Sequence, residues 1–133
     1  MLSHLSSASR SPAVYMTRSD YDQLSSRADA LGHTVIGQSL LAELDRAILA
    51  PDRSTRSFVR LGSIVSYEDV STGAVRRLKL CLPEDASLDD SRLSVLTPVG
   101  AALIGASVGK VFAYLGADGR HRSLRVLEIE DDF

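Results

Sequence analysis

Apolar residues recur along the chain at two different periods, and the change of period divides it. Tyr21, Leu24, Ala28 and Leu31 fall at intervals of three, four and three, the stripe of a helix that buries one face. Thr17 followed by Asp20 predicts the helix start, a capping box with Asp in place of the usual Glu, and Gly32 predicts the stop. A second helix is predicted over 38–49, with Leu41, Leu44 and Ile48 on one side and Leu40 and Ala47 beside them. Pro51 forbids its continuation. The short 32–37 connection makes these two helices, each about 20 Å long, a hairpin whose stripes cover each other. Helices this short need that cover, because alone in water they are marginal. Asp20, Asp22, Arg27, Asp29, Glu43, Asp45 and Arg46 are expected mostly on its solvated side.

Beyond residue 58 the period shortens to two. Ile64-Val65-Ser66-Tyr67 is extended after a Leu61-Gly62 break, and Ser71-Thr72-Gly73 supplies a turn. Leu78, Leu80 and Leu82 then alternate with Arg77, Lys79 and Cys81, as in a half-buried strand. An acidic loop holding Glu84, Asp85, Asp89 and Asp90 leads into the stretch around which the rest is organised, 93–105. It starts strand-like at Leu93-Ser94-Val95-Leu96, switches at Thr97-Pro98 and continues as a short apolar helix that stops at Gly105. Thr97 suits the cap and Pro98 the first helical position, where a missing N–H costs nothing.

An extended run over 110–115 and a Gly116-Ala117-Asp118-Gly119 turn lead to the last strand. There Leu124 and Val126 share one face while Arg125, Leu127 and Ile129 share the other. The apolar side therefore changes through a bulge or twist, or both sides are covered in places. The expected order is a flexible, loosely docked Ser-rich leader (1–16), a helical hairpin (17–50), a polar linker (51–58) and a domain (59–133). That domain is a small sheet of about five strands, with one helix between the third and fourth covering a face. The fold class is α+β.

Composition narrows the function more than the fold. The 133 residues are 44% hydrophobic, enough for a real core in one compact domain plus an appendage. A net charge of −2, 5% aromatics and no Trp argue against a general nucleic-acid surface, which needs concentrated positive charge or stacking platforms. Cys81 is the only cysteine, which excludes an internal disulfide and fits a reducing compartment. No apolar run is long enough to span a membrane and the first residues lack a secretory core, so a cytoplasmic location is expected.

His4, His33 and His121 lie far apart, and Gly100, Gly105 and Gly109 match neither a P-loop nor a dinucleotide fingerprint. The acids read as solvated surface. No catalytic residue, cofactor or metal site is expected, which leaves an interaction module or a regulator of a larger machine.

The 93–105 stretch followed by Val108-Gly109, with Gly62, Gly73, Asp118-Gly119 and the Leu41-Ala42-Glu43-Leu44-Asp45-Arg46-Ala47 helix, resembles the Rnk family. Its members are named as regulators of nucleoside diphosphate kinase and are related to the GreA/GreB transcription elongation factors. The resemblance extends from about Thr17 to Glu130. It implies a short antiparallel coiled-coil hairpin followed by an FKBP-like antiparallel sheet with one helix, with no need for prolyl isomerase activity. It also implies a partner, bacterial RNA polymerase, contacted near its secondary channel through Ser94, Leu96, Thr97 and Pro98. Leu96 stands where Gre factors commonly carry Asp, which implies an apolar contact there.

In cleavage-stimulating relatives a pair of acids at the hairpin tip helps hold the catalytic metal and activate water. The tip here is His33, Thr34 and Val35 in a run without acid; Asp29 precedes it by a turn, and Glu43 and Asp45 lie down the second helix. The implied function is a polymerase-binding transcription regulator, not an enzyme, without strong stimulation of transcript cleavage. The family name keeps open a regulator of nucleotide metabolism acting on or through nucleoside diphosphate kinase. The hairpin keeps open a generic homodimeric interaction module, so self-association is left undecided; no sequence-specific nucleic-acid contact and no membrane partner are expected.

Overall fold

Burial begins before the first helix. In the computed structural model, which describes residues 12–51 and 57–131, β1 (Val14–Thr17) carries Val14 and Met16 fully into the core. The stretch expected as a loose leader is therefore structural from residue 14; its residues 1–11 lie outside the described residues. β1 pairs in parallel with β2 (Ala47–Ala50), Val14 opposite Ala47 and Thr17 opposite Ala50.

This pairing also shortens the second helix. α1 (Arg18–Ala30) starts as predicted, with Thr17 Oγ1 accepting from the Asp20 N–H at 3.1 Å, and its C-cap is Leu31. α2 (Val35–Arg46) was expected to reach Leu49 but stops at Arg46, because 47–50 satisfies its backbone in the ladder with β1 instead. Ile48 consequently sits on β2, 48% exposed, and takes no part in hairpin packing. Leu24, Ala28 and Leu44 are buried between the helices and the sheet as expected, joined by Leu40. Tyr21 and Leu41 pack at the margin of that core, and Leu31 is half-buried.

The sheet consists of β3 (Ser63–Asp69), β4 (Val75–Cys81), β5 (Arg92–Ser94), β6 (Val111–Leu115) and β7 (His121–Asp131), in the order β5-β4-β3-β7-β6. α3 (Pro98–Leu103) lies in sequence between β5 and β6, the expected third and fourth strands of the sheet. One pairing departs from the antiparallel expectation. β5 runs parallel to β4, because the 82–91 loop, with a 3₁₀ turn at Pro83–Asp85, carries the chain back alongside the last three residues of its neighbour, 79–81. Cys81, expected on the side opposite the leucines, is buried under this arrangement and its S–H donates to the Leu93 carbonyl at 3.4 Å.

The change of apolar side in the last strand is a bulge. Ser66 pairs with Glu128 but Tyr67 pairs with Val126, which leaves Leu127 as the extra residue, 40% exposed. Leu124 and Val126 thus face the core before the bulge, and Ile129 packs against it after.

Hairpin and sheet share one core. Val14, Met16, Leu24, Leu40 and Leu44 belong to the same buried cluster as Val65, Leu80, Leu103, Phe112, Leu124 and Val126. Each fully buried Leu contributes roughly 2 kcal/mol of transfer free energy to that union. Polar ties fix the angle. Asp20, expected in solvent, is buried and its Oδ2 accepts from the Leu61 N–H at 3.0 Å; Arg27 pairs with Glu84 at 2.8 Å; the Tyr15 N–H donates to the Gly105 carbonyl at 3.0 Å. Gly105 has φ +78, and a Cβ there would lie 2.4 Å from Val14 Cγ1, so β1 can approach only because this position is glycine. The expected linker ends early as well: Phe58 is buried with its ring 5.9 Å from that of Tyr15, while residues 52–56 lie outside the described residues.

Candidate functional site

The turn between β5 and α3 brings Ser94, Leu96, Thr97 and Pro98 together, and almost every polar group in it is spent on holding its shape. The Val95 N–H donates to the Cys81 carbonyl at 2.8 Å, which keeps the chain on the sheet one residue beyond β5 and buries Val95 completely. Ser94 Oγ accepts from the Leu96 N–H at 3.0 Å. Thr97 Oγ1 accepts from the Gly100 N–H at 3.0 Å and donates to the Ser94 carbonyl at 2.8 Å, so one hydroxyl caps α3 and ties it to the strand before it. Pro98 occupies the start of the helix. The first turn of α3 then passes so close over β5 that a Cβ on Gly100 would lie 2.2 Å from the Ser94 oxygen and 2.8 Å from Val95 Cα.

All four candidate docking residues are half-buried. Leu96 is not the open apolar edge that the sequence suggested: with Val95 drawn inside, the turn lies flat on the core and Leu96 packs against its margin. The exposed apolar residue nearby lies in the acidic loop. Leu88 is 88% exposed and lines, with Tyr67, Leu78, Leu93 and Val99, an open groove of about 260 Å³ rimmed by Arg76, Arg77 and Arg92. A lone Leu amid Asp and Glu was the available signal. Arg92 is held in place by Nε donation to the Asp85 carbonyl at 2.8 Å and by Asp90 at 3.3 Å.

At the far end of the hairpin, His33 and Val35 are exposed, Val35 at 68%. Thr34 is less a tip residue than a cap: its Oγ1 accepts from the Gly37 N–H at 3.0 Å and donates to the Leu31 carbonyl at 2.7 Å. Asp29 and Asp45 are solvated as expected. Glu43 and Arg46, expected in solvent too, instead line a cleft of about 190 Å³ between α2, α3 and β6, 3.7 Å apart. Burial pushes the Glu43 carboxyl above its ordinary value, against the opposing pull of Arg46. Burial, with help from Asp85, also pushes the Cys81 thiol up, away from nucleophilic use. Among the described residues no three His, Cys, Asp or Glu side chains converge on a point where a metal ion would sit. His121 is exposed at the start of β7, and His4 lies outside the described residues. No described helix is long and apolar enough to cross a membrane.

Residues 54–131 match the family described as transcription elongation factor GreA/GreB, C-terminal. The chain is 38% identical over 96 residues to the regulator of nucleoside diphosphate kinase of Escherichia coli K12, covering 71% of each protein. It is 34% identical over 74 residues to the transcription elongation factor GreA of Thermodesulfovibrio yellowstonii, covering 55% of this chain and 47% of that one. Among solved structures, a GreA/GreB elongation factor from Nitrosomonas europaea aligns with a TM-score of 0.68 at 25% identity, covering 89% of this chain and 98% of that one. The family match and the fold place the chain in the GreA/GreB class, whose matched members are named for regulation or elongation and not for a catalysed reaction. Within that class the chain belongs to the Rnk family, the regulators of nucleoside diphosphate kinase.

Proposed function

We propose that the protein regulates transcription in the cytoplasm by binding bacterial RNA polymerase near the secondary channel, with Ser94, Leu96, Thr97 and Pro98 forming the contact, and that it brings no strong cleavage chemistry. The observation that supports this reading is a turn held by its own hydrogen bonds, combined with a tip run that carries no acid. Thr97 has committed its hydroxyl within the turn and Ser94 Oγ already accepts from the Leu96 N–H, so the groups left to a partner are the Pro98 ring, the open part of Leu96 and the Ser94 O–H as a donor. A turn locked in advance loses little entropy on binding.

The 13 residues of α1 and 12 of α2 reach about 20 Å. Glu43 lies roughly 12 Å down α2 from Val35, turned into the cleft against Arg46, so it is not offered to a metal at the tip. A short hairpin of this kind occupies a channel entrance, or competes for it, without supplying ligands to the catalytic metal.

Purified polymerase should retain the protein in a pull-down, and Leu96→Asp combined with Pro98→Ala should abolish retention. Absence of binding, or binding indifferent to the double substitution, refutes the surface. On backtracked complexes transcript cleavage should stay near its unstimulated rate; strong stimulation lost on substituting Asp29, Glu43 or Asp45 refutes the second half. The name of the 38%-identical relative favours a second reading, regulation of nucleotide metabolism on or through nucleoside diphosphate kinase. A change in turnover of purified kinase on adding the protein, with no transcription present, would select that reading.

A further inference from the structure

The sheet ends in β6, and the outer edge of that strand is open. Gly116 N–H donates to the Arg120 carbonyl at 2.8 Å, which sets the parity of the β6–β7 ladder. Phe112 and Tyr114 therefore spend their backbone groups on β7, while Val111, Ala113 and Leu115 turn theirs outward. All three are exposed, and among the described residues nothing bonds to those outward groups. The strand reads Val-Phe-Ala-Tyr-Leu, with no charge, proline or bulge, the devices that ordinarily close an edge to other chains. At the opposite end of the sheet β5 offers only three residues.

The 190 Å³ cleft runs along this edge, with α2 as its far wall. That wall presents Glu43, whose carboxylate has no hydrogen-bond donor among the described residues and lies 3.7 Å from Arg46, which itself donates from Nη2 to the Pro12 carbonyl. Pro98, Ala101 and Ala102 make a small apolar floor. A main chain lying in the slot has N–H and C=O groups alternating along each of its edges, which suit the open groups of β6 on one side and the Glu43 carboxylate on the other.

We propose that the slot between β6 and α2 receives an extended segment of a partner protein, which adds to β6 as a further strand. Its inner edge pairs with Val111, Ala113 and Leu115, its outer edge gives an N–H to the Glu43 carboxylate, and an apolar side chain fills the floor. The cleft's volume of about 190 Å³ exceeds the roughly 150 Å³ that accepts a benzene ring, so one such side chain fits. A second copy of this chain is a poorer occupant. Antiparallel pairing of β6 with its own copy keeps both helical layers on the same side of the joined sheet, which brings the two α2 helices toward each other over the new strand pair. The proposal goes beyond the polymerase reading and does not depend on it.

The test begins with the full chain panned against phage-displayed random heptapeptides. The best binder is then synthesised with and without N-methylation of its central residue. Selected sequences should carry apolar residues at alternate positions, and binding should slow amide exchange at Val111, Ala113 and Leu115. N-methylation of the peptide, and Ala113→Pro in the protein, should each weaken binding about tenfold or more. The methylated peptide keeps the test decisive where the proline variant fails to fold. The proposal is overturned if no sequence is enriched, if binding leaves those three amides unprotected, or if N-methylation is harmless. It is equally overturned if the protein sediments as a dimer with the same amides already protected, since a second copy then fills the edge.

Discussion

Replacing Gly100 by Ala tests the docking turn through the sign of the effect as well as its size. Residue 100 lies inside α3, where Ala is intrinsically favoured over Gly by about 1 kcal/mol. On propensity alone the variant gains stability. The added methyl carbon, however, would stand 2.2 Å from the Ser94 carbonyl oxygen, more than about 1 Å short of normal contact, and 2.8 Å from Val95 Cα. Both obstacles are backbone, so no side-chain rotation relieves them and the turn or the helix must move. Overpacking of this kind costs about 1–3 kcal/mol.

The movement also stretches both bonds of Thr97 Oγ1, because one ends on the Ser94 carbonyl and the other starts at the residue 100 N–H. Each is worth about 1 kcal/mol. The net expectation is a loss of about 2 kcal/mol, or roughly 8 °C in Tm for a protein of this size. Urea and thermal unfolding followed by circular dichroism would measure it, and the polymerase pull-down would report whether the displaced turn still docks. A variant as stable as the parent, or more stable, refutes the claim that α3 is pressed against β5 at this position.

Local chemistry was legible in the sequence wherever the decisive partner lay within a few residues. Thr17, Thr34, Thr97 and Pro98 sit at helix starts, and two of these caps, with the Thr97-Pro98 switch, follow directly from residue type and spacing. The five strands of the main sheet and the helix inserted among them came from alternation and turn residues. What the sequence did not disclose depends on distant backbone. Ala47–Ala50 carries a helical pattern but is a strand because β1, some thirty residues earlier, satisfies its backbone in parallel. Ile48 looked like the next residue of a helical stripe for the same reason. The parallel course of β5 was hidden because alternation is identical for either direction of pairing.

The candidate site divides in the same way. Its residues were recognisable, but their exposure was not: Leu96 is drawn onto the core margin by the Val95 bond to Cys81, a contact fourteen residues away in sequence, while Leu88 is pushed out by the loop that returns to β5. Acids posed the hardest problem, since charge alone suggests solvent. Asp20 is buried because it answers the Leu61 N–H, and Glu43 is half-buried because it lines the cleft between α2, α3 and β6. Neither neighbour can be deduced from the periodicity of the helix that carries the acid.

Two further outcomes follow from individual side chains. Thr97→Ala removes the cap of α3 and its tie to Ser94, and should cost about 1–2 kcal/mol in urea unfolding; an unchanged midpoint would mean that the hydroxyl does not hold the turn. Glu43→Gln reads the cleft through pH. The Glu43 carboxyl is raised above its ordinary value of 4.5 in the folded protein, first by burial, with Arg46 opposing. The folded state therefore holds the proton more tightly than the unfolded chain, so this group's contribution to stability is complete below about pH 4.5 and is lost as pH rises through the folded value. Gln stays neutral throughout, so the variant should match the parent in acid and exceed it near neutrality, as measured by urea midpoints across that range. A parent that gains on the variant as pH rises would mean that attraction to Arg46 outweighs the cost of burying the charge, and the cleft would have to be wetter than its walls imply.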